Sequence, residues 1–116
     1  MTQNRTDYAG IDVSAKELVL ALECGEDGLI ERTFPNTDAG VERLVELVAA
    51  EAGPPTRVCL EHTGNFSDRV KWALHRAEGV RVSTPNPRRV RNYARVTAER
   101  GKTDRIDARV LLNFGK

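Results

Sequence analysis

Three short strand-like segments follow one another between Tyr8 and Phe34, separated by gaps no longer than a turn. That succession constrains the fold more than any other feature. Tyr8–Val13 (YAGIDV), Glu17–Glu23 (ELVLALE) and Leu29–Phe34 have the length of strands and are too short for a helix that stands alone. Ser14-Ala15-Lys16 is a turn, and Cys24–Gly28, with two glycines and two acids, has hairpin chemistry. After Pro35-Asn36-Thr37-Asp38, a breaker followed by a cap, the period changes. Val41, Leu44, Val45, Leu47 and Val48 recur at helical spacing until Gly53-Pro54-Pro55 ends the run.

From there strand and helix signals alternate. Arg57–Glu61 (RVCLE) is a compact apolar run of the kind that forms a buried strand. Thr63-Gly64-Asn65 is a turn, with Asn65 the expected N-cap of a helix over Phe66–Ala77. Val70, Trp72, Ala73 and Leu74 are expected to form that helix's apolar side, with Trp72 in the core. Val80–Ser83 is a further strand, stopped by Pro85-Asn86-Pro87. Arg88–Thr97 is helical, with Val90, Tyr93, Ala94 and Thr97 on one side, and a last helix is expected from Thr103 to Phe114 after the break at Gly101. Consecutive strands make a meander, and later alternation makes parallel crossover units. The expected fold is therefore α/β, a mixed sheet with helices packed on it.

The 116 residues are enough for one core and too few for two. With 40% hydrophobic and 30% charged residues, the chain has the balance of a folded domain. The uncharged run Leu18–Leu22 is far short of the roughly 20 residues a membrane span needs. The N-terminus carries no apolar signal core, so a cytoplasmic protein with no membrane partner is expected. Cys24 and Cys59 fit neither a C-x-x-C nor a zinc spacing and are expected to be reduced.

A formal net charge of +1 conceals an asymmetry. Between Arg81 and Arg109 lie nine basic and three acidic residues; the rest of the chain holds nine basic and fourteen acidic ones. A basic C-terminal third points to a polyanionic partner or to a solvated basic face. Arg88, Arg91 and Arg95 share one helix side and form a plausible track for backbone phosphates.

Four carboxylates stand out. Asp12 lies inside an apolar strand, where Asp is disfavoured. Glu61 ends the run VCLE at the carboxyl edge of a buried strand, where ligand sites of open α/β sheets form. Asp104 and Asp107 are three apart on a helix and project from one face. Gathered at one point, four carboxylates need cations to neutralise them, and oxygen-only donors favour Mg²⁺ or Mn²⁺ over zinc. Two such ions about 3.5–4 Å apart support phosphodiester cleavage. Each residue also has an ordinary role open to it: Asp12 bonding the turn at Ser14, Glu61 pairing with Arg57, Asp104 complementing a helix dipole, Asp107 pairing with Arg100 or Arg105. Ser14 and Ser67 have no patterned base, so neither is expected to act as a nucleophile.

These segments together resemble the N-terminal domain of IS110-type transposases. The resemblance lies in Gly10-Ile11-Asp12-Val13-Ser14 with Lys16, in Phe34-Pro35-Asn36 with Gly40, and in Leu60-Glu61-His62-Thr63-Gly64-Asn65-Phe66. It continues through Asn86-Pro87-Arg88-Arg89-Val90-Arg91 and ends in Lys102-Thr103-Asp104-Arg105-Ile106-Asp107-Ala108. His62 departs from the family pattern, which has a small residue there. The resemblance implies a RuvC-like, RNase H-type fold and a DEDD tetrad of Asp12, Glu61, Asp104 and Asp107 binding Mg²⁺ or Mn²⁺. It implies DNA transposition and recombination with DNA as partner, and a structured guide RNA from the insertion sequence. It further implies a C-terminal domain bearing a nucleophilic serine. Arg88, Arg89, Arg91, Arg95, Lys102 and Arg105 are the expected nucleic-acid contacts. Residues 1–116 are then a single RuvC-like domain, the N-terminal fragment of a longer protein, inactive alone and homo-oligomeric when complete. The competing expectation is a structured RNA- or DNA-binding module without catalysis.

Overall fold

The strand Asp7–Val13 (β1) occupies the centre of a five-stranded sheet in the computed structural model, which describes residues 7–25, 28–52, 55–61, 64–97 and 108–116. Glu17–Cys24 (β2) and Gly28–Pro35 (β3) complete an antiparallel meander on one side. Asp38–Glu51 (α1) then carries the chain across to Thr56–Leu60 (β4), which lies parallel to β1 on its other side. A single 3₁₀ turn at Gly64–Ser67 leads into Asp68–Arg76 (α2), and Val80–Ser83 (β5) adds a parallel edge strand. Pro87–Thr97 (α3) and Ala108–Phe114 (α4) follow. The strand order is β3-β2-β1-β4-β5. This mixed sheet with its helices is the α/β, RNase H-like (RuvC-like) architecture that the sequence led us to expect.

Alternation along the strands sorts the core into two faces. Ala9, Ile11 and Val13 of β1, Leu18, Leu20 and Leu22 of β2, and Val58 and Leu60 of β4 pack with Val41, Leu44 and Val48 of α1 and Val70 and Leu74 of α2. The intervening residues face α3 and α4: Ala21 packs with Ala108 and Leu112, and Cys59 with Val90 and Leu111. Both faces are thus covered, as the buried residues on both sides of β1, β2 and β4 require.

Local chemistry explains where the elements begin. The Thr37 side chain accepts a hydrogen bond from the Gly40 N–H at 3.0 Å and caps α1. The Ser14 hydroxyl accepts from the Glu17 N–H at 3.2 Å and donates to the Glu17 carbonyl at 3.0 Å, closing the β1–β2 turn. Two expectations need correction here. Asn65 is not the cap of the following helix: it lies within the 3₁₀ turn, and α2 begins after Ser67, whose hydroxyl instead donates to the Gly64 carbonyl. Trp72 is not in the core. It is 56% exposed, because it stands two residues from both Val70 and Leu74, about 200° around the helix from the buried side. It rests against His75 and beneath the Lys71 ammonium instead. The last helix is described from Ala108 onward; its expected first part, 103–107, lies outside the described residues.

Candidate metal centre and nucleic-acid face

The β1–β4 register builds the first half of the site. Paired positions run from Asp7↔Thr56 through Gly10↔Cys59 to Ile11↔Leu60. Continued one step, that register would set Asp12 level with Glu61, the residue directly after β4. Neighbouring strands lie about 4.8 Å apart, which is the spacing the two backbones would have at that step. Alternation puts both on one face of the sheet. Asp12 follows Gly10, which lies against α4, and Glu61 follows Cys59, which packs on Val90 of α3 and Leu111 of α4. Both residues are half-buried. The pairing of Glu61 with Arg57 does not occur: among the described residues no ion pair joins them, and four positions along an extended strand keep them apart.

Asp104, Asp107, Lys102 and Arg105 lie outside the described residues, as does His62. Among the described residues no group of three or more His, Cys, Asp and Glu side chains forms a metal cage. The donors present are carboxylate oxygens, and that chemistry suits a hard divalent cation. α4 starts close by. Its Ala108 carbonyl and Leu112 N–H stand directly over Gly10, one same-face position from Asp12.

α3 supplies the basic face. Val90 and Ala94 are buried, Tyr93 meets the Phe114 ring edge-on at 5.5 Å, and Arg88, Arg89, Arg91 and Arg95 are all exposed. The Asn86 side chain accepts from the Arg88 N–H at 2.8 Å, which fixes the start of this helix. Arg109 is engaged elsewhere, in a two-pronged contact with Glu31 at 2.7 and 3.3 Å. The Ser14 and Ser67 hydroxyls both donate to carbonyls within their own turns. Cys24 and Cys59 are not joined in a disulfide. Burial pushes the Cys59 thiol up, offset in part by a hydrogen bond with Ser83.

Sequence reasoning gave no role to Asn36, although it named the Phe34-Pro35-Asn36 segment. The structure makes it a junction. Its side-chain N–H₂ donates to the Ser14 and Phe66 carbonyls, both at 2.9 Å. Its backbone N–H donates to the Lys16 carbonyl at 2.9 Å, and its own carbonyl accepts from Arg69 at 2.6 Å. An Asn directly after a Pro at a strand end reads as a turn residue, so only the tertiary contacts reveal this.

No helix among the described residues is long and apolar enough to cross a membrane. A family model described as a transposase, the DEDD type of IS110 elements, matches residues 9–116. No curated protein matches the chain.

Proposed function

The chain belongs to the IS110-type DEDD transposase family, and from that premise we propose that it is the metal-binding domain of a transposase acting on DNA. Asp12, Glu61, Asp104 and Asp107 hold Mg²⁺ or Mn²⁺ in this reading. The observation that carries it is the β1–β4 register, which supports a shared carboxylate edge at Asp12 and Glu61. Asp107 is the residue immediately before Ala108, and Ala108 begins the helix that lies on Gly10. The donor chemistry fits the ion: oxygen ligands only, with two carboxylates on one face and two more in the segment leading into α4. When bound, the cations supply charge neutralisation at a phosphodiester.

The residues of this chain do the rest. The carboxylates fix the cations at the sheet edge. The exposed guanidinium groups of Arg88, Arg89, Arg91 and Arg95 hold backbone phosphates on the same face of the sheet, without reading bases. Lys102 and Arg105 extend this contact. Residues 1–116 act as one RuvC-like domain of a longer protein, with a guide RNA of defined fold, a serine-bearing domain and further copies of the chain completing the recombinase. Alone, this domain binds but does not transfer strands.

Titration with Mn²⁺ tests the reading. Saturable binding that is lost in Asp12→Ala and in Glu61→Ala is expected, and absence of binding to the unaltered chain overturns it. The second reading, a structured RNA- or DNA-binding module without catalysis, is favoured by the exposed arginine side of α3. It predicts salt-sensitive affinity for nucleic acid with no dependence on divalent metal.

A further inference from the structure

We propose that Asn36 is a positioning residue that sets the two carboxylate-bearing strand ends against each other. The proposal rests on the reading of Asp12 and Glu61 as metal ligands. Ser14 lies two residues beyond Asp12, and Phe66 lies five beyond Glu61. The one carboxamide of Asn36 donates to both of their carbonyls at 2.9 Å, so a single planar group spans the turn after β1 and the turn after β4. The register of β1 and β4 fixes the two strands up to Ile11 and Leu60. Past that point, the carboxyl edge is held by what the loops bond to. Asn36 is itself anchored on the main chain of both neighbours: its N–H on Lys16, its carbonyl under Arg69 of α2. Arg69 is in turn paired with Asp38 of α1 at 2.9 Å.

The chemistry requires this residue type. Two carbonyls need two N–H donors from one short side chain. An aspartate offers only oxygens and would repel both carbonyls; a leucine fills the same volume and leaves both unpaired. Asn36 is 9% exposed, and its Oδ1 finds no partner among the described residues. The donating half of the amide is therefore what the fold uses here.

The test compares Mn²⁺ binding by the chain and its Asn36→Asp and Asn36→Leu variants, well below their melting temperatures. Paramagnetic broadening of the Asp12 and Glu61 backbone amide signals gives the affinity. Both variants are expected to weaken Mn²⁺ binding by about tenfold or more. Thr37→Ala, which removes the neighbouring helix cap, is expected to lower the melting temperature without changing affinity. Unchanged affinity in the Asn36 variants overturns the proposal while leaving the metal site standing. Absence of binding to the unaltered chain overturns both. If the variants do not fold, the unaltered chain supplies a second readout. Its Asn36 side-chain N–H₂ signals are expected to exchange slowly and to shift with Mg²⁺ at the same midpoint as the Asp12 and Glu61 amides. Asn36 signals that stay fixed while those two move overturn the proposal.

Discussion

The carbonyl oxygen of Ala108 occupies the space that a side chain on Gly10 would need, and the Leu112 N–H crowds the same point. Both are backbone atoms of α4 and cannot swing aside as a side-chain tip would. Gly10 stands opposite Ala21 of β2, another small residue, so the helix rests almost directly on the sheet there. The strand carrying Asp12 and the helix that follows Asp107 are thereby held in close contact. Gly10→Ala is expected to push α4 off the sheet and cost about 1–3 kcal/mol, read as a lowered denaturation midpoint. Gly115→Ala, whose added carbon would meet the Cys59 side chain at 3.1 Å and backbone oxygens only at ordinary contact distance, 3.5 and 3.7 Å, is expected to cost less.

Neutralising the carboxylates separates metal binding from folding. Asp12→Asn and Glu61→Gln keep shape and remove charge at half-buried positions. Each is expected to weaken Mn²⁺ binding at least tenfold by calorimetry. Each is also expected to leave the metal-free melting temperature within a few degrees.

The arginine side of α3 is expected to act as a sum of phosphate contacts. Replacing Arg88, Arg91 and Arg95 together by Glu should weaken binding to all nucleic-acid sequences alike. It should also flatten the slope of log affinity against log salt by about 2–3. Binding assays across a salt series check this. An unchanged slope would make the face an ordinary solvated surface. The substitutions should not disturb folding, because the buried contacts of this helix are made by Val90 and Ala94 on the opposite side.

Cys59 makes stability sensitive to alkaline pH. Burial raises its thiol, so the unfolded chain loses this proton before the folded one does. Its contribution is complete below the ordinary thiol range and is lost as pH climbs above about 8.5. The melting temperature is expected to fall more steeply above that point in the unaltered chain than in Cys59→Ala. Iodoacetamide at neutral pH should modify half-buried Cys24 first and reach Cys59 only on unfolding.

Much of this architecture could be read in advance because the signals were local. Short strand-length runs marked β1 and β2, and Gly-Pro-Pro and Pro-Asn-Pro marked the breaks. The 3.6 period of Val90 and Ala94 against Arg88, Arg91 and Arg95 described α3 correctly on both sides. Trp72 was misread because a large apolar side chain outweighed its angular position, although the helix period itself placed it opposite Val70. Asn65 was misread because a cap-forming residue type was taken for a cap, whereas the chain inserts a 3₁₀ turn first. The neighbourhood of Asp12 and Glu61 depends on which strands pair, and no local pattern states that. The role of Asn36 was invisible for the same reason, since Ser14 and Phe66 are 22 and 30 positions away from it.

The parallel pairing of β1 with β4 has a consequence for how the domain matures. Asp12 and Glu61 are 49 positions apart in the chain, and the meander and α1 must be laid down before they can meet. Joining ends that distant carries a loop-closure cost that only the finished sheet offsets. In a nascent or half-melted chain the two carboxylates are therefore not held together, and under the proposed reading the affinity for metal depends on the finished sheet.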